Sequence, residues 1–269
     1  MLRGHATAKE IGAERDFRWR GAEVSRVEGL SDAVFAFAVT LLVVSLEVPR
    51  TFDDLLVTMR GFAAFAICFA LLMQVWYAHY RFFRRYGLQD RYTVTLNALL
   101  LFLVLFYVYP LKFLYPLKFL FTLLVDQTLG VARADTIRET QVPLLMAIYV
   151  AGFLAVQLVF ALLYAHAYRQ RAALALDAQE VAVTRGDLRA TGVSMGVALL
   201  SIALAARGGA EAGGWAGLTY LLLGPAQALN GTLTGRRVRR LRVAGLASAG
   251  AGPHPSRSDM QASGDAPPT

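Results

Sequence analysis

An aspartate about one turn from the end of the first expected membrane helix, at the head of a long apolar run, most restricts what this chain can become. The stretch Arg26-Val27-Glu28-Gly29-Leu30-Ser31-Asp32 is charged and polar, and from Ala33 the sequence runs apolar, with few interruptions, to Val48. With its flanks the run can cross a bilayer, which takes about 20 residues of helix. A carboxylate at that depth is costly in lipid, so Asp32 must face protein or water and find a donor.

The same pattern recurs along the chain. Of the 269 residues 56% are hydrophobic and 17% charged, with mean hydropathy +0.46; an ordinary soluble domain has about a quarter charged. The excess comes in blocks of about 17 to 25 residues separated by arginine-rich connections, the signature of a polytopic helical protein. A large soluble core would need polar faces at helical spacing, which most blocks lack. The expected fold class is all-α, with six transmembrane helices near residues 24–48, 55–79, 92–109, 142–168, 190–206 and 215–233. Pro110 is expected to stop the third, and the tandem Tyr-Pro-Leu-Lys-Phe-Leu at 109–114 and 115–120 to lie at the outer surface. Residues 169–189, charged and mixed, read as helical and aqueous. The domain reading is a polar, mobile cytoplasmic segment over 1–22, a six-helix transmembrane domain over 23–234, and a basic, then disordered, cytoplasmic tail over 235–269.

Six spans put both termini on one side. Most of the 27 Lys and Arg fall in the N-terminal segment, the 80–91 and 169–189 connections and the tail. The positive-inside rule then places both termini in the cytoplasm, with the chain in the cell membrane. That placement also accounts for the net charge of +8 without a nucleic-acid partner. Cys68 is the one cysteine, so no disulfide framework exists within a chain. The first 25 residues lack the apolar core of a cleaved signal peptide.

At about 100° per residue, Ala33, Phe37, Thr40 and Val44 share one stripe of the first helix. Asp32 points roughly away from it, and Val34 and Leu42 read as lipid-facing. Copies of this helix around an axis would gather Phe37 into a hydrophobic ring able to gate by dewetting. The Thr40 hydroxyls beside it could replace part of an ion's water shell. Ordinary packing residues would show the same spacing. Asp32 needs partners at its own depth. The second helix returns to that level at Trp76 and His79, and the third leaves it with Asn97 about 7 Å in at a rise of roughly 1.5 Å per residue. Ser31, Asp32, Trp76, His79 and Asn97 thus occupy one inner layer, able to form a bonded cluster or to reach water separately.

Catalytic chemistry is not legible. No zinc-protease helix motif, paired-cysteine metal site, nucleotide loop or nucleophile elbow occurs, and His5, His79, His166 and His254 are scattered. Ser31, Asp32 and His79 could be drawn as a hydrolytic triad, but oxyanion donors are lacking. No enzyme, metal site or cofactor is expected. The rivals to an ion channel are a proton-coupled secondary transporter using Asp32 and His79, though the two halves show no inverted repeat, and a non-transporting membrane scaffold.

The motif Arg26-x-x-x-Leu30-Ser31-Asp32, continuing through Ala36 and Thr40-Leu41, resembles the signature of the endolysosomal potassium channel family, transmembrane protein 175, and its prokaryotic homologues. Leu30 stands where the family has Phe. Trp76-x-x-His79 and Asn97 resemble that family's second and third helices, and beyond residue 110 the likeness is topological. The resemblance implies a homotetramer whose first helix lines a central pore, passing K⁺ and other monovalent cations with modest preference over Na⁺ and without a carbonyl filter. The bulky residue at the narrowest point, five after the motif Asp, corresponds to Phe37 in place of an aliphatic one. Thr40 and Val44 continue the line with Ala33, while Arg26, Ser31, Asp32, Trp76, His79 and Asn97 anchor the pore helix.

Overall fold

The computed structural model describes residues 17–21, 23–44, 50–112, 142–205 and 218–250. They form six long helices: α1 (Arg26–Val44), α2 (Phe52–Tyr86), α3 (Arg91–Lys112), α4 (Val142–Arg169), α5 (Ala178–Ala205) and α6 (Leu223–Gly250), the last preceded by a 3₁₀ turn at Thr219–Leu222. Among the described residues α1, α3, α4 and α5 are long and apolar enough to cross a membrane. At about 1.5 Å per residue α1 spans roughly 28 Å, close to the hydrocarbon thickness of a bilayer.

The boundaries are set by local chemistry. Ser25 and Glu28 form a reciprocal cap at the start of α1: the Ser25 N–H donates to Glu28 Oε2 at 2.8 Å, and the Glu28 N–H to Ser25 Oγ at 3.2 Å. Asp177 and Glu180 repeat the device at α5, at 3.1 and 2.8 Å. Gly87, at φ 59°, ends α2 in the left-handed region that glycine adopts freely, and its N–H closes on Phe83 O at 2.8 Å. Asp90 caps α3 by accepting from Thr93 Oγ1 at 2.6 Å and the Tyr92 N–H at 3.2 Å.

The helices pack in sequence. α1 lies on α2 and α3, α3 on α4, α4 on α5, and α5 on α6. Two apolar clusters result. One joins α1, α2 and α3 through Phe35, Ala38, Leu42, Cys68, Leu72, Leu101, Val104 and Val108. The other, at the arginine-rich end, is aromatic and includes Phe17, Phe82, Phe83, Tyr86, Phe160 and Tyr164.

Several boundaries differ from the sequence reading. Residues 17–21 are held in place: Phe17 is buried in the aromatic cluster, and the Arg20 and Gly21 N–H groups donate to Arg84 O at 3.0 and 3.2 Å. α3 runs through Pro110 to Lys112, because a proline near a helix end forfeits a single intrahelical bond. α5 begins at its capping box, twelve residues before the expected Ala190, and the helical expectation for the mixed segment holds from Ala178 onward. α6 continues past its arginines to Gly250, where a disordered tail was expected. Val34 and Leu42 do not face outward: Leu42 is 4% exposed in the α1–α2–α3 core, and Val34 packs against it. The polar loop at 126–141, the second proline repeat, the glycine turn at 208–214 and residues 1–16 and 251–269 lie outside the described residues.

α3 and α4 approach closely where Tyr107 lies over Gly152, and the Tyr107 hydroxyl donates to Tyr149 O. A Cβ on Gly152 would fall 1.9 Å from that ring. Gly152→Ala should therefore lower stability by about 1–3 kcal/mol. Gly192→Ala on α5, with nothing within 4 Å, should leave thermal unfolding in detergent unchanged or slightly raised.

Candidate functional site

α1 is divided lengthwise. Glu28, Ser31, Phe35, Ala38 and Leu42 recur at spacings of three and four and are buried against α2 and α3. Ala33, Phe37, Thr40 and Val44 lie on the far side, and all four are exposed in the subunit, Phe37 at 57% and Val44 at 73%. The Thr40 hydroxyl donates to Ala36 O at 3.0 Å, one turn back. Its hydrogen is thereby engaged and its lone pairs are left free on the exposed side.

The foot of the buried face holds a directional hydrogen-bond chain. His79 Nε2 lies 2.8 Å from Asn97 Oδ1, Asn97 Nδ2 donates to Ser31 Oγ at 3.0 Å, and Ser31 Oγ donates to Val27 O at 2.7 Å. Asn97 Oδ1 can only accept, so His79 carries its proton on Nε2. Ser31, His79 and Asn97 are each 2% exposed or less. Phe83 and Phe35 flank the imidazole, with ring centroids at 4.6 and 5.8 Å. One side chain from each of α1, α2 and α3 is thus tied at one depth, and Ser31, His79 and Asn97 are each bonded there.

Asp32 makes a separate contact. Its Oδ1 accepts from Trp76 Nε1 at 2.8 Å at the exposed edge of the α1–α2 seam. The Trp76 ring stacks on Tyr80 at 5.7 Å, and Tyr80 meets Trp19 of the N-terminal strap, residues 17–21, edge-on at 6.2 Å. The expected layer therefore comes together as two arms. Arg26, exposed at the first position of α1, takes part in neither arm among the described residues.

The strap and its acidic partners escaped the sequence reading. Arg20 grips Glu180 with both terminal nitrogens, at 2.6 and 3.1 Å, while the Arg18 N–H donates to the same carboxylate at 2.9 Å. Arg81 and Arg85 of α2 both meet Asp187 of α5, and the Tyr86 hydroxyl lies 2.8 Å from Thr184 Oγ1. The strap leads directly into α1, so these contacts join the foot of α1 to α5. The one available signal was the pair of capping boxes, which mark Glu28 and Glu180 as ordered. Among the described residues no three His, Cys, Asp or Glu side chains converge as a metal site.

The model of the endosomal/lysosomal potassium channel family TMEM175 matches residues 26–107, which is α1 through most of α3. A potassium channel from Marivirga tractuosa is 39% identical over 239 residues, covering 86% of this chain and 96% of that protein. The chain belongs to the TMEM175 family. Among solved structures it is similar to a threonine-to-alanine variant of the potassium channel MtTMEM175 bound to a nanobody–MBP fusion. The TM-score is 0.72 at 37% identity, over 84% of this chain and all of that one. A TMEM175 homologue from Chamaesiphon minutus shares the fold at 24% identity and TM-score 0.51, over 78% of this chain and 96% of that one. The TMEM175 match spans the three helices that carry the divided α1 and its bonded foot.

Asn97 both donates and accepts here, so Asn97→Leu strands the His79 Nε2–H and takes away the donor to Ser31 Oγ, which keeps its bond to Val27 O. A loss of about 1–3 kcal/mol is expected from the buried orphaned imidazole, read by thermal unfolding. Asp32→Ala should cost less, because its bond lies at an exposed edge, and Asp32→Asn, which keeps the acceptor, less again.

Asp90 lies between α2 and α3 and also meets His166 Nε2 of α4 at 3.0 Å. Desolvation pushes its pKa up, but the bonds from Thr93 and His166 outweigh this and hold the carboxyl below its ordinary value. A depressed folded pKa contributes stability above the unfolded value that disappears as pH falls through the folded one. Melting temperature should therefore drop more steeply for the wild type than for Asp90→Asn between about pH 5 and pH 3.

Proposed function

We propose that the protein is a homotetrameric cation channel of the cytoplasmic membrane, both termini cytoplasmic, passing K⁺ and other monovalent cations with a modest preference for K⁺ over Na⁺. The observation that carries this reading is the lengthwise division of α1, with one face locked onto α2 and α3 and the other uncovered in the subunit. Membership of TMEM175, and the description of its Marivirga tractuosa member as a potassium channel, supply the chemistry.

In this mechanism four copies of α1 surround a water-filled axis. The Phe37 rings form the constriction. A ring of aromatic side chains excludes water when narrow, so conduction requires it to widen or the ion to shed part of its shell. One turn further on, the Thr40 oxygens replace some of the lost water, and Ala33 and Val44 line the wider parts. The foot of α1 stays fixed by the Ser31–Asn97–His79 chain and the Asp32–Trp76 bond, so the uncovered face keeps its angle toward the axis while ions pass.

A proton-coupled transporter would need Asp32 and His79 to exchange a proton. They are bonded instead to Trp76 and Asn97 respectively, which leaves that reading without a shared path.

The test is a liposome flux assay with purified protein, comparing K⁺, Na⁺ and Cs⁺. The wild type should pass K⁺ faster than Na⁺ without a proton gradient, and Phe37→Ala should raise flux severalfold and narrow the difference. Unchanged flux in Phe37→Ala removes Phe37 from the pore, and flux strictly dependent on a proton gradient overturns the channel reading.

A further inference from the structure

The inner end of α6 carries a charge pattern unlike that of the strap and α2. There arginines meet acids: Arg20 with Glu180, and Arg81 and Arg85 with Asp187. Arg236, Arg237, Arg239 and Arg240 are exposed and take part in no recorded ion pair among the described residues. Their helix has no acidic residue between Leu223 and Gly250. Like charges this close repel along a helix, and a counter-charge from outside it relieves that repulsion.

The register between α5 and α6 fixes where the four lie. Gln227 donates to Ala190 O and Ser194 Oγ, both at 2.9 Å, and Asn230 donates to Gly186 O at 3.0 Å. Arg189 reaches Thr234 Oγ1 at 3.2 Å, and a Cβ on Gly186 would come within 2.6 Å of that hydroxyl. α6 is thus held against α5 up to Thr234, and Val238, buried at 4%, continues the contact face. The four arginines flank Val238 on the other sides of the helix. They fall about 5–10 Å beyond Leu233, the last residue of the sixth expected span, at 1.5 Å per residue. The headgroup layer of a bilayer is about 5–8 Å thick on each side. A helix that carries straight through the boundary holds its arginines at that depth, where a floating tail would not.

We propose that this end of α6 is a binding surface for anionic phospholipid of the inner leaflet. The lipid phosphates accept from the guanidinium groups of Arg236 and Arg240, one turn apart, and of Arg237 and Arg239 on the flanks. A planar guanidinium donates two parallel hydrogen bonds to phosphate and so holds a headgroup by geometry as well as charge. The proposal rests on the membrane reading and is independent of ion conduction, because its readout is binding.

The test uses the full chain in neutral detergent, titrated with dioctanoyl-phosphatidylglycerol and, separately, dioctanoyl-phosphatidylcholine. Thermal unfolding and native mass spectrometry count what is stabilising and what is retained. Phosphatidylglycerol should raise Tm and remain bound while phosphatidylcholine does neither. Replacing the four arginines (Arg236→Gln, Arg237→Gln, Arg239→Gln, Arg240→Gln) should weaken apparent affinity by about tenfold or more, as expected when several membrane-facing charges are removed. The corresponding four lysine replacements should retain most of it. Arg85→Gln, which breaks a matched pair, should lower Tm yet keep the lipid increment. For a fourfold variant that folds poorly, salt serves on the wild type: raising ionic strength from about 0.1 to 1 M shortens the screening length from about 10 to 3 Å and should release phosphatidylglycerol. Equal binding by wild type and glutamine variant, equal response to the two lipids, retention at high salt, or the same increment from inorganic phosphate overturns the proposal.

Discussion

Asn97 is the side chain on which the register of α1, α2 and α3 depends. A polar group inside a bilayer has no water to fall back on, so each donor and acceptor must be matched within the protein. Asn97 stands between its two partners and uses both its capacities, accepting from His79 and donating to Ser31. Three helices meet there with complementary groups at one depth. A shift of a turn along any of them would separate partners that have no alternatives. Apolar contacts in the α1–α2–α3 cluster fill space but tolerate sliding, because lipid is as good a neighbour for leucine as another leucine. The hydrogen-bond chain sets register; the apolar cluster above it supplies close contact.

A second set of interactions extends that register to the other half of the chain. Glu180 serves the cap of α5, the Arg18 backbone and the Arg20 side chain together. The strap it holds runs straight into Ser25, whose own capping box opens α1. Motion of α5 at this end would therefore reach α1 through a few ordered residues. α6 stands at the far end of this succession and is tied to α5 by the amide side chains of Gln227 and Asn230.

Much of the α1 foot was legible in the sequence for a simple reason. Consecutive spans run in opposite directions at a constant rise, so depth can be counted from their ends, and few polar residues share a depth. That sufficed to gather Ser31, Asp32, Trp76, His79 and Asn97. It did not separate them into two arms, because counting gives height and not angle. Arg20 with Glu180 was beyond reach: the partners are 160 residues apart, and an arginine-rich side offers many combinations. Leu42 was misassigned because an apolar residue on a membrane helix suits lipid and protein equally. The start of α5 was missed although Asp177-x-x-Glu180 marked it, since the charges that follow were read as a connection and are instead spent on α2 and the strap.

Thr40 gives its hydrogen to Ala36 O, and this has a bearing on which ions the proposed conduit admits. A hydroxyl free to rotate can turn either its hydrogen or its oxygen toward a passing ion and so favours neither sign. With the rotor committed to the backbone, a ring of Thr40 groups in the proposed tetramer would present negative partial charge alone. An anion at that level would meet no donor, while a cation would meet an acceptor from every subunit. Discrimination by sign would then arise from the orientation of four neutral dipoles, with no carboxylate at the proposed constriction.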